Sequence, residues 1–441
     1  MRQTLSLPAL ALALAAGWHG CGMAADALAA TNAAGAPESL AALLARTLHL
    51  DPQVRVAQSL LQATQERNVQ ARSRLYPTFS VTHNSGSSSD LEFNLGVERR
   101  TIRTDAALRW NLYNGGNDMA EVGATDVETE AASLDLQRAR EEAAERVANA
   151  YIDLLRSDSL LPLGQERLDA VRRLVALVQR QLEAGKAAES DAQQAQASLL
   201  DAEIAQQQLL ADRDSARRKL AALVDATVRP VEPLYLPSPP DGDLVGIASG
   251  SMGAARLRAD AARARVRPWQ TAVAPRLDME VRQQLTDHTK PQTTTVQQFS
   301  AVLVARWDMP LGGETLSRRN ETERRAEAAA SEADRVERIA RAEWLSLSPL
   351  IQASTRAIEQ LDRQIGHYGQ LLRAGEIQFE AGRRSLAQLI ALRDSRFTAQ
   401  QRLAEQAQRQ YNARVRQLSL AGGLLPAMGL GLAPTDAPPR P

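Results

Sequence analysis

The sequence predicts a mainly helical fold with a small β contribution, built twice from one repeated unit. Only 4% of the 441 residues are aromatic whereas 44% are apolar, so Ala, Leu and Val supply most of the apolar surface. This composition favours long, closely packed helix pairs over a thick globular core. Two further observations support the prediction: landmarks recur at one fixed distance, and segments with a period of two precede very long helical stretches.

The charges and the single cysteine exclude several classes of function. The 52 basic residues balance 52 acidic ones, which disfavours a protein that binds nucleic acid or an anionic membrane surface. Cys21 is the only cysteine, so the chain has no internal disulfide and no cysteine metal cluster. Lipidation of Cys21 stays open, although the preceding Trp18-His19-Gly20 departs from the usual lipoprotein pattern.

The first 29 residues have the features of a secretory signal peptide. Arg2 precedes an apolar run from Leu5 to Trp18, and Ala27-Leu28-Ala29 offers a cleavage site. A membrane anchor is the alternative, but the run is shorter than the roughly 20 residues that a span requires. We therefore predict an exported protein with a signal peptide over residues 1–29.

The internal repeat is the clearest organising feature. Its landmarks share an offset of 197 positions: Trp110 and Trp307, Gly115-Gly116 and Gly312-Gly313, and Gly185 and Gly382. The predicted repeats cover residues 36–230 and 252–425, joined by a proline-containing linker at 230–251. Residues 426–441 are rich in proline and are predicted to be a disordered tail.

Each repeat contains an alternating region, at residues 77–114 and 275–311, which predicts a pair of amphipathic strands. An ordinary half-buried sheet is one interpretation. A membrane barrel is favoured because Trp110 and Trp307 stand at equivalent strand ends, as interfacial aromatic residues do. Four strands cannot close such a barrel and open edges are not tolerated in lipid, so this interpretation requires an oligomer.

Heptad-like apolar spacing predicts an antiparallel coiled-coil hairpin in each repeat, over residues 116–226 and 314–421. Gly185 and Gly382 are expected to reverse the chain at the tips. At about 1.5 Å per residue each arm approaches 100 Å. Pro162 and Pro349 are expected to mark kinks or helix junctions, because an interior proline removes a hydrogen bond.

Several motifs, in this order and duplicated, resemble the TolC family of outer-membrane efflux and secretion channels. The matching segments are Leu75–Phe79, Trp110–Gly116, Trp307–Gly313 and the Glu-Ala-Gly sequences that end at Gly185 and Gly382. The resemblance implies a homotrimer in the outer membrane of a Gram-negative bacterium, with a twelve-stranded barrel completed by trimerisation and a periplasmic helical tunnel. It also implies partners, namely a periplasmic adaptor (membrane fusion) protein and an inner-membrane ABC or proton-driven pump.

The same resemblance assigns expected roles to the tips. Five residues match the family's tip motifs and are expected to act in adaptor docking and gating: Gly185, Ser190, Asp191, Gly382 and Arg384. A simpler interpretation is that the two glycines turn the chain and the others are solvated surface. Gln388 and Ala391 stand where similar channels often carry an aspartate ring, so an acidic constriction is in doubt.

The sequence shows no pattern of a catalytic or cofactor site. No phosphate loop, zinc helix or nucleophile elbow occurs, and the histidines lack ligand spacing. We therefore predict a non-enzymatic channel without cofactor or metal. The alternative is a soluble periplasmic coiled-coil scaffold or adaptor, in which the strands form a small capping sheet.

Overall fold

The computed structural model describes residues 38–89, 98–226, 232–237, 250–267, 275–289, 298–308 and 312–431. The predicted signal peptide with Cys21, most of the predicted linker and residues 432–441 lie outside the described residues. The helices are α1 Leu40–Thr47, α2 Pro52–Ser73, α3 Asn117–Glu183, α4 Glu189–Val224, α5 Gly250–Ala264, α6 Glu314–Glu380, α7 Leu386–Leu420 and α8 Leu424–Ala427. The strands are β1 Thr78–Ser89, β2 Glu98–Asn114, β3 Arg276–Thr289 and β4 Phe299–Arg306.

The repeat is reproduced in the backbone. Helices α3 and α6 are both 67 residues long, and their first and last residues are each 197 positions apart. Both helices begin after a glycine in the left-handed region, Gly116 at φ 80° and Gly313 at φ 76°. The predicted fold class of two repeats, with long antiparallel helices and four strands, is confirmed.

Each long helix packs along its seam against the helix that follows the tip. In the first hairpin Val171 and Val178 of α3 and Ala195 and Ala202 of α4 are buried, at spacings close to a heptad. Gly164 allows an especially close approach, since a Cβ there would collide with the side chains of Gln206 and Leu209. Small residues in the seam therefore bring the backbones of the hairpin together.

Helix α3 occupies the centre of the helical layer along its whole length. Its half near the tip contacts α4 on one side and α7 on the other, and its half near the sheet contacts α2 and α5. Among the described residues, the main packing partners of helix α6 are α5 and α7. One edge of the protomer is therefore formed by α2 and α4, and the opposite edge by α6.

Neither interior proline ends a helix. Pro162 lies within α3 and Pro349 within α6, so neither position is a helix junction, and the alternative of a kink at each stays a prediction. A proline removes one hydrogen bond from the helix. Residues on both sides of Pro162, such as Leu160 and Leu168, are buried in the seam, and this packing keeps the helix continuous across the missing bond.

The four strands form one antiparallel sheet in the order β1-β2-β3-β4. Strand β2 pairs with β1 from Thr78↔Arg109 to Ser89↔Glu98, and β3 pairs with β4 from Arg276↔Arg306 to Gln283↔Phe299. The β2–β3 pairing joins the two repeats. The outer edges of β1 and β4 have no partner strand among the described residues.

The largest apolar core lies between the sheet and the tips, where α1, α3, α4, α7 and α8 meet. Tyr151 is its largest fully buried side chain, and its hydroxyl lies 2.7 Å from the carbonyl oxygen of Glu232. Leu425 is buried here, and Met428 and Leu430 pack against the same core. The predicted start of the disordered tail, residue 426, is therefore too early, because Met428 and Leu430 pack against this core.

Candidate functional site

The two hairpin tips have the same backbone geometry. Gly185 and Gly382 adopt φ 71° and φ 69°, which L-residues with a side chain rarely adopt. The N–H of Lys186 donates to the carbonyl of Gln181 at 2.7 Å, and the N–H of Arg383 donates to that of Gln378 at 2.8 Å. These are Schellman motifs, which satisfy the last carbonyls of α3 and α6 and reverse the chain sharply.

The helices that leave the tips start differently. Ser385 caps α7, since its Oγ accepts from the N–H of Gln388 at 3.3 Å. Helix α4 follows Ala188, which cannot cap, but Glu189 and Asp191 lie in its first turn, where negative charge favours the helix dipole. Ser190 is exposed and Asp191 is half-buried.

Arg384 folds back onto the helix before its own tip. Its Nη1 donates to Gln378 Oε1 at 3.5 Å, and a Cβ at Gly375 would lie 2.9 Å from the same nitrogen. Gly375, a buried glycine inside α6, therefore makes room for this guanidinium. Among the described residues no hydrogen bond or ion pair joins Arg384 to Asp191, so the structure does not link these two predicted tip residues directly.

An apolar cluster holds the two hairpins together just behind the tips. It combines buried residues of both repeats: Leu174, Val178, Ala195, Leu372, Leu386 and Leu389. Because the cluster joins α3, α4, α6 and α7, the tips of the two hairpins lie side by side, at the same height along the helix axes.

The face that carries Gln388 and Ala391 is basic. These two residues line a shallow depression of about 410 Å³ together with Arg383 and Arg384. Asp394, the nearest acid further along α7, points to the other hairpin, where its Oδ1 accepts from Arg167 Nη2 at 2.8 Å. Its carboxylate is therefore engaged between the hairpins.

At the opposite end of the arms, glycines join the strands to the helices. Gly115 and Gly116, both with positive φ, link β2 to α3, and Gly312 and Gly313 precede α6. Trp110 stands near the end of β2 with its Nε1 donating to the Leu75 carbonyl at 2.9 Å. Trp307 directly follows β4 and is 58% exposed.

The register of the sheet separates an apolar face from a polar one. Phe79 pairs with Leu108, Leu108 with Val281, and Met279 with both Trp110 and Leu303. These side chains are apolar and several are widely exposed, with Phe79 at 67% and Leu303 at 62%. On the other face Arg109 forms an ion pair with Glu280 at 3.6 Å. An exposed apolar face of this extent indicates contact with lipid or protein.

The sequence matches the family model described as outer membrane efflux protein, over residues 43–226 and 248–423. The two matched segments cover more than half of the chain and correspond to the two repeats. The chain belongs to the outer membrane efflux protein family. This confirms the family resemblance of the sequence motifs and the outer membrane as the protein's location. No curated protein is significantly similar in sequence.

Solved structures of outer membrane channels share the fold. VceC from Vibrio cholerae is 18% identical with a TM-score of 0.77, over 87% of this chain and 96% of that one. CmeC from Campylobacter jejuni is 13% identical with a TM-score of 0.78, over 87% and 86%. The open state of MtrE from Neisseria gonorrhoeae is 17% identical with a TM-score of 0.75, over 87% and 89%. These similarities show that the family fold extends over nearly the whole chain.

Within the described residues, no helix is both long and apolar enough to cross a membrane. The same part of the chain contains no group of three or more His, Cys, Asp or Glu side chains placed to hold a metal ion. The family consists of outer membrane efflux proteins.

Sequence reasoning missed two features of this family member. One is Glu141, a buried acid of α3 whose Oε1 accepts from the N–H of Leu425 at 3.4 Å. Burial raises the pKa of this carboxyl to about 7. The other is a group of arginines between the hairpins. In the sequence, each of these residues is a charged residue next to an apolar helix face. Periodicity alone does not show whether such a residue is buried or exposed to solvent.

Proposed function

We propose that three copies of this chain close into a single ring that serves as the passive outer-membrane duct of an efflux or type I secretion system. Their sheets would form a twelve-stranded barrel and their arms a tunnel through the periplasm. An inner-membrane pump would supply the energy, and no reaction is assigned to this subunit.

The two open edges of the sheet support this proposal most strongly. Within the described residues, the outer edges of β1 and β4 have no partner strand, and unpaired edges are not tolerated in a bilayer. Pairing β1 of one copy with β4 of the next satisfies both edges. Such a contact is head-to-tail, so it generates a ring when the rotation closes.

The helical edges carry exposed apolar residues that suit the same contact. The edge formed by α2 and α4 exposes several aliphatic side chains: Val56, Leu60, Val69, Leu200, Ile204 and Leu210. The edge formed by α6 does so too: Leu316, Ile339, Leu345, Leu350, Leu371 and Ile377. Burying these rows against each other would remove apolar surface from water along the length of the arms.

The two faces of the sheet suit a barrel wall. The apolar face with Phe79, Leu303 and Trp307 would contact lipid, and the face with Arg109 and Glu280 would line the lumen. Trp110 and Trp307, both at the end of the sheet that leads into the helices, would lie at the periplasmic interface.

The tips are the proposed contact with a periplasmic adaptor and the proposed gate. Gly185, Ser190, Asp191, Gly382 and Arg384 occupy the turns or the helix starts furthest from the sheet, where a partner protein can reach them. Family membership supports the outer-membrane duct over a soluble periplasmic scaffold.

Disulfide trapping tests the ring. Arg172 and Glu203 form an ion pair at 3.5 Å, and Leu174 and Leu372 share one cluster, so Leu200 and Leu371 lie at similar heights on opposite edges. Neighbouring helices are about 8–10 Å apart, so these positions cannot meet within one chain across α3 and α7. With Leu200→Cys and Leu371→Cys together, mild oxidation of membranes should trap dimers and trimers of the exported chain.

The matched control combines Ile204→Cys with Leu316→Cys, which places the thiols at the tip half and the sheet end of opposite edges. This pair should give no ladder. A monomer that stays monomeric with the first pair, or that fractionates as soluble protein, contradicts the ring.

A further inference from the structure

A pocket of about 320 Å³ lies between the two hairpins, over α7 and between α3 and α6. Its wall is unusually basic. Five arginines line it, contributed by all three helices: Arg167, Arg173, Arg373, Arg393 and Arg396. The only acids in the lining are Glu166 and Glu376.

The acids in and beside the pocket are already engaged. Arg393 Nη2 donates to Glu376 Oε1 at 2.7 Å, and Arg396 Nη1 donates to Glu166 Oε1 at 3.0 Å. Asp394, which lies beside the pocket, takes Arg167 as its partner. Five guanidinium groups therefore meet three carboxylates, and positive charge remains in excess.

Several guanidinium nitrogens in this wall are buried without an acceptor among the protein atoms: Arg167 Nε, Arg393 Nε, Arg393 Nη1 and Arg396 Nε. A buried donor without an acceptor is costly, and such groups in native proteins point to a bound water or ion. Burial, together with the charge of Arg173, lowers the pKa of Arg393. The Glu376 carboxylate acts in the opposite direction and compensates these two effects only in part.

We propose that this pocket binds a small oxyanion, with inorganic phosphate or sulfate as the ligand class. Guanidinium groups donate paired hydrogen bonds in a plane that matches oxyanion geometry. The volume accommodates the ion together with several waters, since a water occupies about 30 Å³ of liquid. The bound ion compensates the excess charge and joins α3 of the first repeat to α6 and α7 of the second.

The internal repeat supplies the variant that tests the site. At the positions equivalent to Arg393 and Arg396 the first repeat carries Gln196 and Leu199, so the site occurs in one repeat only. Arg393→Gln therefore installs a residue that the same helical position already accepts. Arg393→Lys retains the charge but loses the planar pair of donors. Arg356→Gln, at an exposed position of α6 outside the pocket, is the matched control.

Equilibrium dialysis of the detergent-purified full chain against radiolabelled phosphate, at constant ionic strength with chloride, measures binding. Wild type and Arg356→Gln should bind one phosphate per chain, with sulfate competing. Arg393→Gln should lower the affinity for phosphate at least about tenfold, because it removes one charge-assisted hydrogen bond. The affinity of Arg393→Lys should lie between those of wild type and Arg393→Gln.

A melting curve in chloride without phosphate shows whether Arg393→Gln is folded. The absence of saturable binding to wild type overturns the proposal. Phosphate binding that is equal in wild type and Arg393→Gln also overturns it, because the ion then sits elsewhere.

Discussion

Helices α3 and α6 have the same length and the same glycine turns, yet they differ greatly in burial. Nineteen residues of α3 are buried within the protomer, against eight of α6. Five of these eight residues of α6 form one stripe spaced by seven: Ala326, Ala333, Ala340, Leu347 and Ser354. Helix α3 is more buried because α2 and α4 pack on one of its sides and α5 and α7 pack on the other. Duplication of a sequence therefore produced one central helix and one edge helix.

This difference gives equivalent residues different roles. Leu174 is 3% exposed, whereas its repeat counterpart Leu371 is 47% exposed. Glu141 is buried, whereas its counterpart Arg338 is exposed. The central helix stabilises the protomer, and the edge helix leaves apolar side chains such as Leu371 exposed.

The Leu174 and Leu371 pair tests the comparison most strongly. Leu174→Ala removes a buried side chain and should lower the free energy of unfolding by about 2–5 kcal/mol. Leu371→Ala should change protomer stability by less than about 0.5 kcal/mol, as exposed positions do. Thermal unfolding followed by circular dichroism measures both.

Leu371→Ala should nonetheless weaken the trimer, because the proposed contact buries this residue against the next copy. The temperature at which the oligomer dissociates on a native gel measures that effect. If Leu371→Ala leaves dissociation unchanged, α6 is not the contact edge at this height.

The buried Glu141 should make the free energy of unfolding depend on pH. Its pKa is about 7 in the folded chain, above the ordinary value of 4.5, so the folded state binds the proton more tightly. The contribution of Glu141 to the free energy of unfolding should therefore be largest below pH 4.5 and be lost as pH rises towards 7, by an amount on the order of 3 kcal/mol. Glu141→Gln should abolish this fall, and melting curves across this range measure it.

Arg338→Gln is the matched control for Glu141→Gln. It changes the equivalent, exposed position of α6 and should leave the pH profile of wild type unaltered. A profile in which wild type gains stability from pH 5 to pH 7 relative to Glu141→Gln would contradict a buried, neutral carboxyl.

Gly164 of α3 should be less replaceable than Gly366 of α6. Gly164→Ala forces a Cβ into Gln206 and Leu209 and should cost about 1–3 kcal/mol. Gly366→Ala meets open space within a helix and should stabilise the chain by about 0.5–1 kcal/mol. Denaturant unfolding measures both changes in the free energy of unfolding. Changes of opposite sign confirm the crowding at Gly164, and changes of the same sign argue against it.

The tips should differ least, since their backbone geometry is the same. Gly185→Leu and Gly382→Leu each place a side chain at positive φ, at a cost of about 1–2 kcal/mol, and should leave trimer assembly intact. Both should reduce export of a test substrate by disturbing adaptor docking. Export in cells that lack the native duct measures this, and unchanged export would remove both glycines from the docking site.

Much of this fold was determined by the sequence. The Gly-Gly turns, the tip glycines and the alternating segments fix where helices and strands begin and end, because such signals act over a few neighbouring residues. The offset of 197 between repeats extended these local signals to the second half of the chain, and the duplicated motifs led to the correct family.

Only the tertiary structure decided which repeat lies in the centre and what each charged side chain meets. Leu174 and Leu371 occupy equivalent places in the sequence, and their burial depends on α7, which packs against α3 from a distant part of the chain. Asp394 finds Arg167 at a sequence separation of 227, and Glu141 meets Leu425 at 284. Burial and electrostatic partners are non-local quantities, so a periodicity read along one helix indicates an apolar face without showing what covers it.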